Sequence, residues 1–171
     1  MIRSVWLRLG AAARTLVPAG LTFLLALAGS VPLSAIDLQI IRPLLPFAAV
    51  YYWALYRPDL LPAPVAFSLG LLVDILGGAP LGVHAAVFCL VHGGLRRQRR
   101  FLVGKSFMIN WSGFALVAAG ALALVWLLAS ILHGAPLSAE ALLMQAATTI
   151  AAFPLAFRLL LRCHSALTPP A

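Results

Sequence analysis

The chain has 171 residues, of which 63% are hydrophobic and only 9% are charged, and its mean hydropathy is +1.04. Soluble domains carry about 25% charged residues, so this chain lacks the polar side chains needed to cover a water-facing surface. The composition therefore predicts an all-α, polytopic membrane protein with one transmembrane domain over residues 1–171, and it excludes a second, soluble domain.

The net charge of +8 does not indicate nucleic-acid binding. The basic residues lie at the ends of apolar runs, as the positive-inside rule produces, and do not form one solvated face. The two cysteines, Cys89 and Cys163, form neither a disulfide framework nor the spacing of metal ligands. We therefore expect no nucleic-acid partner, no metal and no other cofactor.

Six apolar runs follow one another along the chain, separated by charged, proline-rich or glycine-rich segments. About 20 apolar residues cross the hydrocarbon core of a membrane, whereas the apolar part of a signal peptide has about 7–15. The first run has nearly the full length of a span, which favours an uncleaved first helix. The predicted spans are residues 15–33, 38–56, 60–77, 80–95, 107–132 and 140–161.

The second run is short, because its apolar part covers only residues 43–56 and contains Pro46. By length alone it could be re-entrant or interfacial. Starting it at Leu38, with the Arg42 side chain reaching to the interface, brings it close to spanning length. Its far end carries aromatic residues typical of a belt at the membrane interface: Tyr51, Tyr52, Trp53 and Tyr56.

The distribution of Lys and Arg predicts the topology. With six spans and a cytoplasmic N-terminus, every basic residue of the 12 except Arg42 falls on the cytoplasmic side. A re-entrant second run would instead place the N-terminus and the Arg96 cluster on opposite faces. We therefore predict six crossings, with both termini in the cytoplasm.

Asp74 lies inside the third apolar run, just before a Gly-Gly-Ala-Pro turn. On insertion scales, an Asp at the centre of a membrane helix has an unfavourable insertion free energy of roughly +2.5 to +3.5 kcal/mol. Because such a residue is energetically unfavourable there, it is a candidate functional residue. Two interpretations stay open. The carboxylate is hydrated near the outer interface or caps the turn, or it pairs inside the bundle with backbone amides or a cation such as Arg42. Proton relay is disfavoured because no second acid lies inside a span.

The glycines around Asp74 predict close packing of the third and fourth helices, since small residues let helices approach in lipid. His84 and His92 lie eight residues apart in the fourth run, but the remaining histidines are too distant in sequence to suggest a metal site. Because no nucleophile stands beside a base and no acid pair is present, we predict no enzyme.

A basic cluster ends the fourth run. The cluster indicates that this end of the run is cytoplasmic. It also predicts contact with anionic lipid head groups, worth about 1 kcal/mol per residue, or with a cytoplasmic partner. The cluster consists of Arg96, Arg97, Arg99, Arg100 and Lys105.

Several short motifs, in one order and spacing, carry a family resemblance over essentially the whole chain. They are Arg42-Pro43 opening the second run, Tyr52-Trp53 near its end, Gly70, Asp74, Gly77, Leu81 and Gly82 in the third-to-fourth hairpin, and Pro154 in the last run. In this arrangement the sequence resembles the family of the rod shape-determining protein MreD. It departs from the family at the end of the first run, where Ser30-Val31-Pro32 replaces an expected polar residue such as Gln.

The resemblance implies a multi-pass subunit of the bacterial inner membrane that acts as a scaffold in the elongasome, the machinery of sidewall peptidoglycan synthesis and cell shape. It implies direct binding to MreC, with MreB, RodZ, RodA and a class B penicillin-binding protein in the wider complex. From this resemblance, Asp74→Asn or Gly77→Leu is expected to abolish rod shape while the protein still inserts.

The resemblance also implies a fold similar to the S-component of energy-coupling-factor transporters, which provides an alternative function. That alternative is a substrate-binding membrane subunit of a vitamin-type transporter. A vitamin binder should have polar and aromatic side chains converging on an outward pocket. The predicted outer loops are short and nearly bare, which favours a scaffold.

Overall fold

Six helices and no strand make up the part of the chain that the computed structural model describes, residues 18–29, 43–135 and 138–167. The predicted all-α class is therefore confirmed. The flanks of the first two predicted spans, with Ser30-Val31-Pro32 and Arg42, lie outside the described residues. The helices are α1 (Pro18–Gly29), α2 (Leu45–Tyr56), α3 (Ala63–Gly77), α4 (Val83–Leu102), α5 (Phe107–His133) and α6 (Ala139–Leu167).

The innermost helix is α2. Every side chain from Phe47 to Leu55 is at most 1% exposed, and α4, α5 and α6 all pack against the helix. A helix that is apolar on all sides is suited to such a buried position. Pro46 stands in its first turn, where the missing N–H interrupts no helical hydrogen bond.

The aromatic residues of α2 face other helices and not a membrane interface, so the predicted aromatic belt is wrong. Tyr51 packs edge-on against Phe114, with ring centroids 5.1 Å apart. Phe114 in turn stacks on Phe153 of α6 at 4.0 Å. These rings therefore join α2, α5 and α6 into one core.

Two helices, Phe107–His133 and Ala139–Ser165, are long and apolar enough to cross a membrane. The described part of α1 and α3 are shorter apolar helices. Helix α4 is long, but four arginines in its second half leave too short an apolar segment. The structure thus has the predicted number of helices, of which two meet this test for spans within the described residues.

Helix α4 continues from the predicted end of its span at residue 95 to Leu102. Arginine and glutamine are good helix formers, and cations are favoured at a helix C-terminus. The helix therefore passes through the four arginines of the basic cluster, and Lys105 follows its end.

The helices alternate in direction, so the bundle has two ends. At one end, Asn110 Nδ2 donates to Tyr56 Oη at 3.0 Å, and His92 Nε2 donates to the Leu61 carbonyl at 2.8 Å. We call it the basic end, because it also carries the cluster Arg96, Arg97, Arg99, Arg100 and Lys105. The opposite end, which holds the α3–α4 turn Gly78–Gly82, is called the turn end.

Helix α6 continues through Pro154. Proline has no N–H, so the carbonyl of Ile150, four residues earlier, loses its helical donor. The indole Nε1 of Trp111 in α5 donates to this Ile150 carbonyl at 3.1 Å. The proline in α6 thereby creates an acceptor that helps hold α5.

Candidate functional site

The centre of the site is Asp74, whose side chain has 0% exposure. It lies in the last turns of α3, and Gly78, the residue after the helix, is in the left-handed region with φ 67°. Gly82 precedes α4, also left-handed, with φ 97°. These two glycines reverse the chain, so the start of α4 returns to the Asp74 carboxylate.

The carboxylate of Asp74 caps α4 from a neighbouring helix. The Gly82 N–H donates to Oδ2 at 2.9 Å and the His84 N–H donates to Oδ1 at 3.0 Å, with a longer contact of 3.5 Å from the Ala85 N–H to Oδ2. These donors are the N-cap, N2 and N3 groups of α4, which lack helical acceptors. Gly82 has no side chain to supply one, so Asp74 does. Its charge also complements the α4 dipole.

The ring of His84 completes the carboxylate's partners, with Nδ1 2.7 Å from Oδ1. Both carboxylate oxygens already accept backbone N–H groups, so we assign Nδ1 as the donor. The ring also packs edge-on against Phe88, with centroids 6.3 Å apart. The acid is thus enclosed by donors that belong to α4 and its preceding turn.

Gly70 allows this geometry, because α3 and α4 touch there backbone to backbone. A Cβ atom on Gly70 would lie 2.7 Å from the carbonyl carbon of His84, and the Ala85 backbone is equally close. Any side chain at this position would push the start of α4 away. The close approach of α3 and α4 at Gly70 is therefore a structural requirement for the capping of α4 by Asp74.

The predicted site residues fall into separate places. Arg42 lies outside the described residues, and Pro43 lies just before α2. Gly77 is exposed with no atom within 4 Å of an added Cβ, and Leu81 is 70% exposed. Pro154 lies within α6 and leaves the Ile150 carbonyl open to accept from Trp111 of α5.

Sequence reasoning missed the role of His84, which it considered only as a metal ligand. It placed both Gly77 and Gly78 in the turn and singled out Gly77, although it is Gly78 that has the left-handed conformation. The available signal was positional, since His84 follows Gly82 at the second position of the next helix. No sequence pattern states that the acid before the turn caps the helix after it.

A cavity of about 260 Å³ lies beside the site at the turn end. The described residues of its walls come from α1, α3, α6, the start of α2, the α3–α4 turn and the first turn of α4. The lining includes Leu44, Val73, Leu76, His84 and Gln145. Within the described residues, no group of three or more His, Cys, Asp or Glu is placed to hold a metal ion.

All five residues of the basic cluster are exposed. Arg100 Cζ lies 5.6 Å from the centroid of the Phe101 ring, and Phe101 itself is exposed. In the described part of the chain, none of the five cluster residues forms an ion pair with a carboxylate.

A comparison with protein-family models matches one family, the rod shape-determining protein MreD, over residues 14–163. No curated protein and no solved structure gives a match, so no structure supports the expected similarity to transporter S-components. The match covers most of the chain and confirms the resemblance carried by its motifs. This family is a membrane protein family that determines rod shape. The chain belongs to the MreD family.

Proposed function

We propose that the protein is a non-catalytic subunit of the bacterial inner membrane that binds MreC and helps organise sidewall peptidoglycan synthesis. The family match over residues 14–163 carries this proposal. MreB, RodZ, RodA and a class B penicillin-binding protein belong to the wider complex in this proposal. The transporter alternative receives no support from the comparisons.

The geometry around Asp74 supports a scaffold. Both carboxylate oxygens are occupied by N–H donors from the turn and from α4. An acid used in this way fixes the angle between two helices and has no free lone pair directed at a substrate. In this proposal the α3–α4 hairpin is a rigid part of the scaffold.

Helices α5 and α6 offer the surface for a partner. Large apolar side chains such as Leu116 and Leu155 are more than 70% exposed. The small residues of α5 divide between two faces, because Ala118 and Ala121 are buried whereas Gly120 has open space around it. In lipid, an outward small residue lets a partner helix approach closely. We assign this face of α5 to the transmembrane helix of MreC.

We propose six crossings with the basic end in the cytoplasm, which follows the distribution of Lys and Arg. The basic cluster would then lie at the head groups of the inner leaflet. Its exposure and its lack of ion pairs with the described carboxylates support contact with anionic lipids there.

Co-purification tests the central proposal. The full chain is expressed with tagged MreC, extracted in mild detergent and, in parallel, into nanodiscs. The matched control is MreC with its transmembrane helix replaced by an unrelated helix of equal length. We expect recovery of the protein with intact MreC only. Absence of co-elution in both media, or equal recovery with the control, would contradict the proposal.

A further inference from the structure

We propose that one side of the bundle binds a locally thinned lipid bilayer. This side, called the α3–α4 face, consists of the outward surfaces of α3 and of the first half of α4. Its exposed apolar side chains include Phe67, Ile75 and Leu90. The inference rests on the six crossings of the proposed function and adds to them the thickness of the lipid layer that this face fits.

Both helices of the α3–α4 face are short. Helix α3 has 15 residues, which rise about 22 Å. The apolar part of α4, residues 83–95, rises about 20 Å. The hydrocarbon core of a typical bilayer is about 30 Å thick. Because tilting only reduces the thickness that a helix covers, each helix falls short by at least about 8 Å.

The turn end of the face cannot add to this apolar length. Residues 78–82 join α3 to α4 without helical structure. Gly78 is exposed, and Leu81 is 70% exposed. Non-helical backbone is not tolerated against lipid tails, because its N–H and C=O groups find no partners there. The turn therefore lies at the level of the head groups.

Charged side chains limit the face at its basic end. Asp59 is exposed just before α3, and its short side chain reaches little beyond its own backbone. Arg96 is exposed directly after the apolar part of α4. Helical side chains point towards the N-terminus of their helix, which for α4 is the turn end. The Arg96 side chain is therefore poorly directed for reaching outwards to water, and the polar boundary lies close to its backbone.

Helix α5 gives the bundle a longer apolar surface elsewhere. Its 27 residues rise about 40 Å. No charged residue interrupts it from Phe107 to Leu132. A helix of this length fits a bilayer of ordinary thickness by tilting. The thinning is therefore confined to the α3–α4 face, and the bilayer changes thickness around the bundle.

Nitroxide labels test the thickness at this face. The full chain, carrying Cys89→Ala and Cys163→Ala, receives one new cysteine at a time. Ala63→Cys labels the basic end of α3, Leu81→Cys the turn, and Leu90→Cys the middle of the apolar part of α4. All three native side chains are exposed. One copy is placed in each phosphatidylcholine nanodisc, which excludes a second copy and anionic lipid as the cause.

The accessibility of each label to oxygen and to a water-soluble nickel chelate reports its depth. In discs with eighteen-carbon acyl chains, we expect the nickel chelate to dominate at residues 63 and 81 and oxygen to dominate at residue 90. Water then reaches both ends of a face that still crosses the membrane. In a uniform core of about 30 Å, at least one end label lies in hydrocarbon. Dominance of oxygen at either end would overturn the inference.

Discs with fourteen-carbon chains provide an internal control. Their thinner core should leave both end labels accessible to water without any deformation. An end label that stays in hydrocarbon there would show that the polar boundaries lie elsewhere, which also overturns the inference.

A matched pair on α5 shows whether the thinning is one-sided. Ile109→Cys and Ala123→Cys replace exposed residues that lie about 21 Å apart along the helix. Oxygen should dominate at residue 123 in the eighteen-carbon discs. Access of the nickel chelate to both α5 labels would overturn the one-sided thinning.

The label at Leu90 separates this inference from the proposed topology. Dominance of the nickel chelate there would contradict the crossing itself and, with it, the inference. Dominance of oxygen at Leu90 and at an end label would contradict the thinning alone. The discs contain no MreC, so neither result depends on the binding of that partner.

Discussion

Gly70 of α3 lies directly against Ala85 of α4, and a Cβ atom on Gly70 would stand 2.5 Å from the Ala85 Cα. Both sides of this contact are backbone, so no side chain can rotate away to make room. The α3–α4 hairpin is therefore built on a glycine that accepts no substitution without a shift of one helix.

Gly70→Ala should consequently lower the free energy of unfolding by about 1–3 kcal/mol, the usual range for overpacking. Thermal unfolding in detergent measures the effect. Gly77→Ala is the control, since space there is open, and it should be neutral or stabilise by up to about 1 kcal/mol. Equal effects of the two substitutions would contradict the close contact.

Asp74→Asn should destabilise the protein by about 1–3 kcal/mol. The amide group of asparagine presents N–H groups to at least one of the backbone donors, which is then buried without an acceptor. We expect a lower unfolding temperature and, in cells, loss of rod shape with the protein still inserted. Asp59→Asn is the matched control, because Asp59 is exposed in the α2–α3 turn. Normal rods and unchanged stability in Asp74→Asn would refute the capping role.

Trp111→Phe and Pro154→Ala should be coupled. In the wild type, loss of the indole N–H leaves the Ile150 carbonyl without a donor. In the Pro154→Ala background, the new N–H at residue 154 bonds to that carbonyl within the helix. The indole N–H should therefore contribute about 1 kcal/mol more to the free energy of unfolding in the wild type than in the Pro154→Ala background. A double-mutant cycle of unfolding free energies checks this, and additive effects would show that the two residues act independently.

Gly120→Leu should weaken co-purification with MreC, provided that the outward face of α5 receives the partner helix. A clash of about 1–3 kcal/mol predicts at least a fivefold loss of recovered complex. Gly93→Leu on α4 makes the same change where space is also open. If Gly93→Leu disrupts the complex and Gly120→Leu does not, the partner binds another face.

Replacing Arg96, Arg97, Arg99 and Arg100 by Gln should weaken binding of anionic lipid by about 1 kcal/mol per residue at low ionic strength. Native mass spectrometry of bound phosphatidylglycerol against phosphatidylcholine measures the preference. The matched variant carries Lys at the same four positions and keeps the charge. A preference that survives the Gln substitutions would place the lipid contact elsewhere.

The sequence was sufficient to predict the helices and the close α3–α4 hairpin, because turn glycines and apolar runs are local signals. It included backbone amides among the possible partners of Asp74, but it could not choose between them and a cation. That choice depends on how closely α4 approaches α3 at Gly70, which is a property of the tertiary structure and not of the local sequence. His84 was missed for the same reason.

The position of α2 could not be predicted from composition. Side chains facing lipid and side chains facing other helices are both apolar, so a uniformly apolar run does not show which surface is buried. The tyrosines of α2 were consequently placed at the membrane interface, whereas the structure encloses them. Only the contacts with α5 and α6 distinguish the two positions.

The enclosure of α2 also constrains the order of events during synthesis. The Leu44 N–H just before it bonds to the Thr149 hydroxyl, 105 residues later, and Tyr52 bonds to His164, 112 residues later. A nascent chain without α6 lacks these partners, and unsatisfied polar groups are unfavourable in hydrocarbon by several kcal/mol each. Assembly of the bundle is therefore completed only after α6 has left the ribosome, and a truncation that removes α6 takes away partners of α2, which is synthesised much earlier.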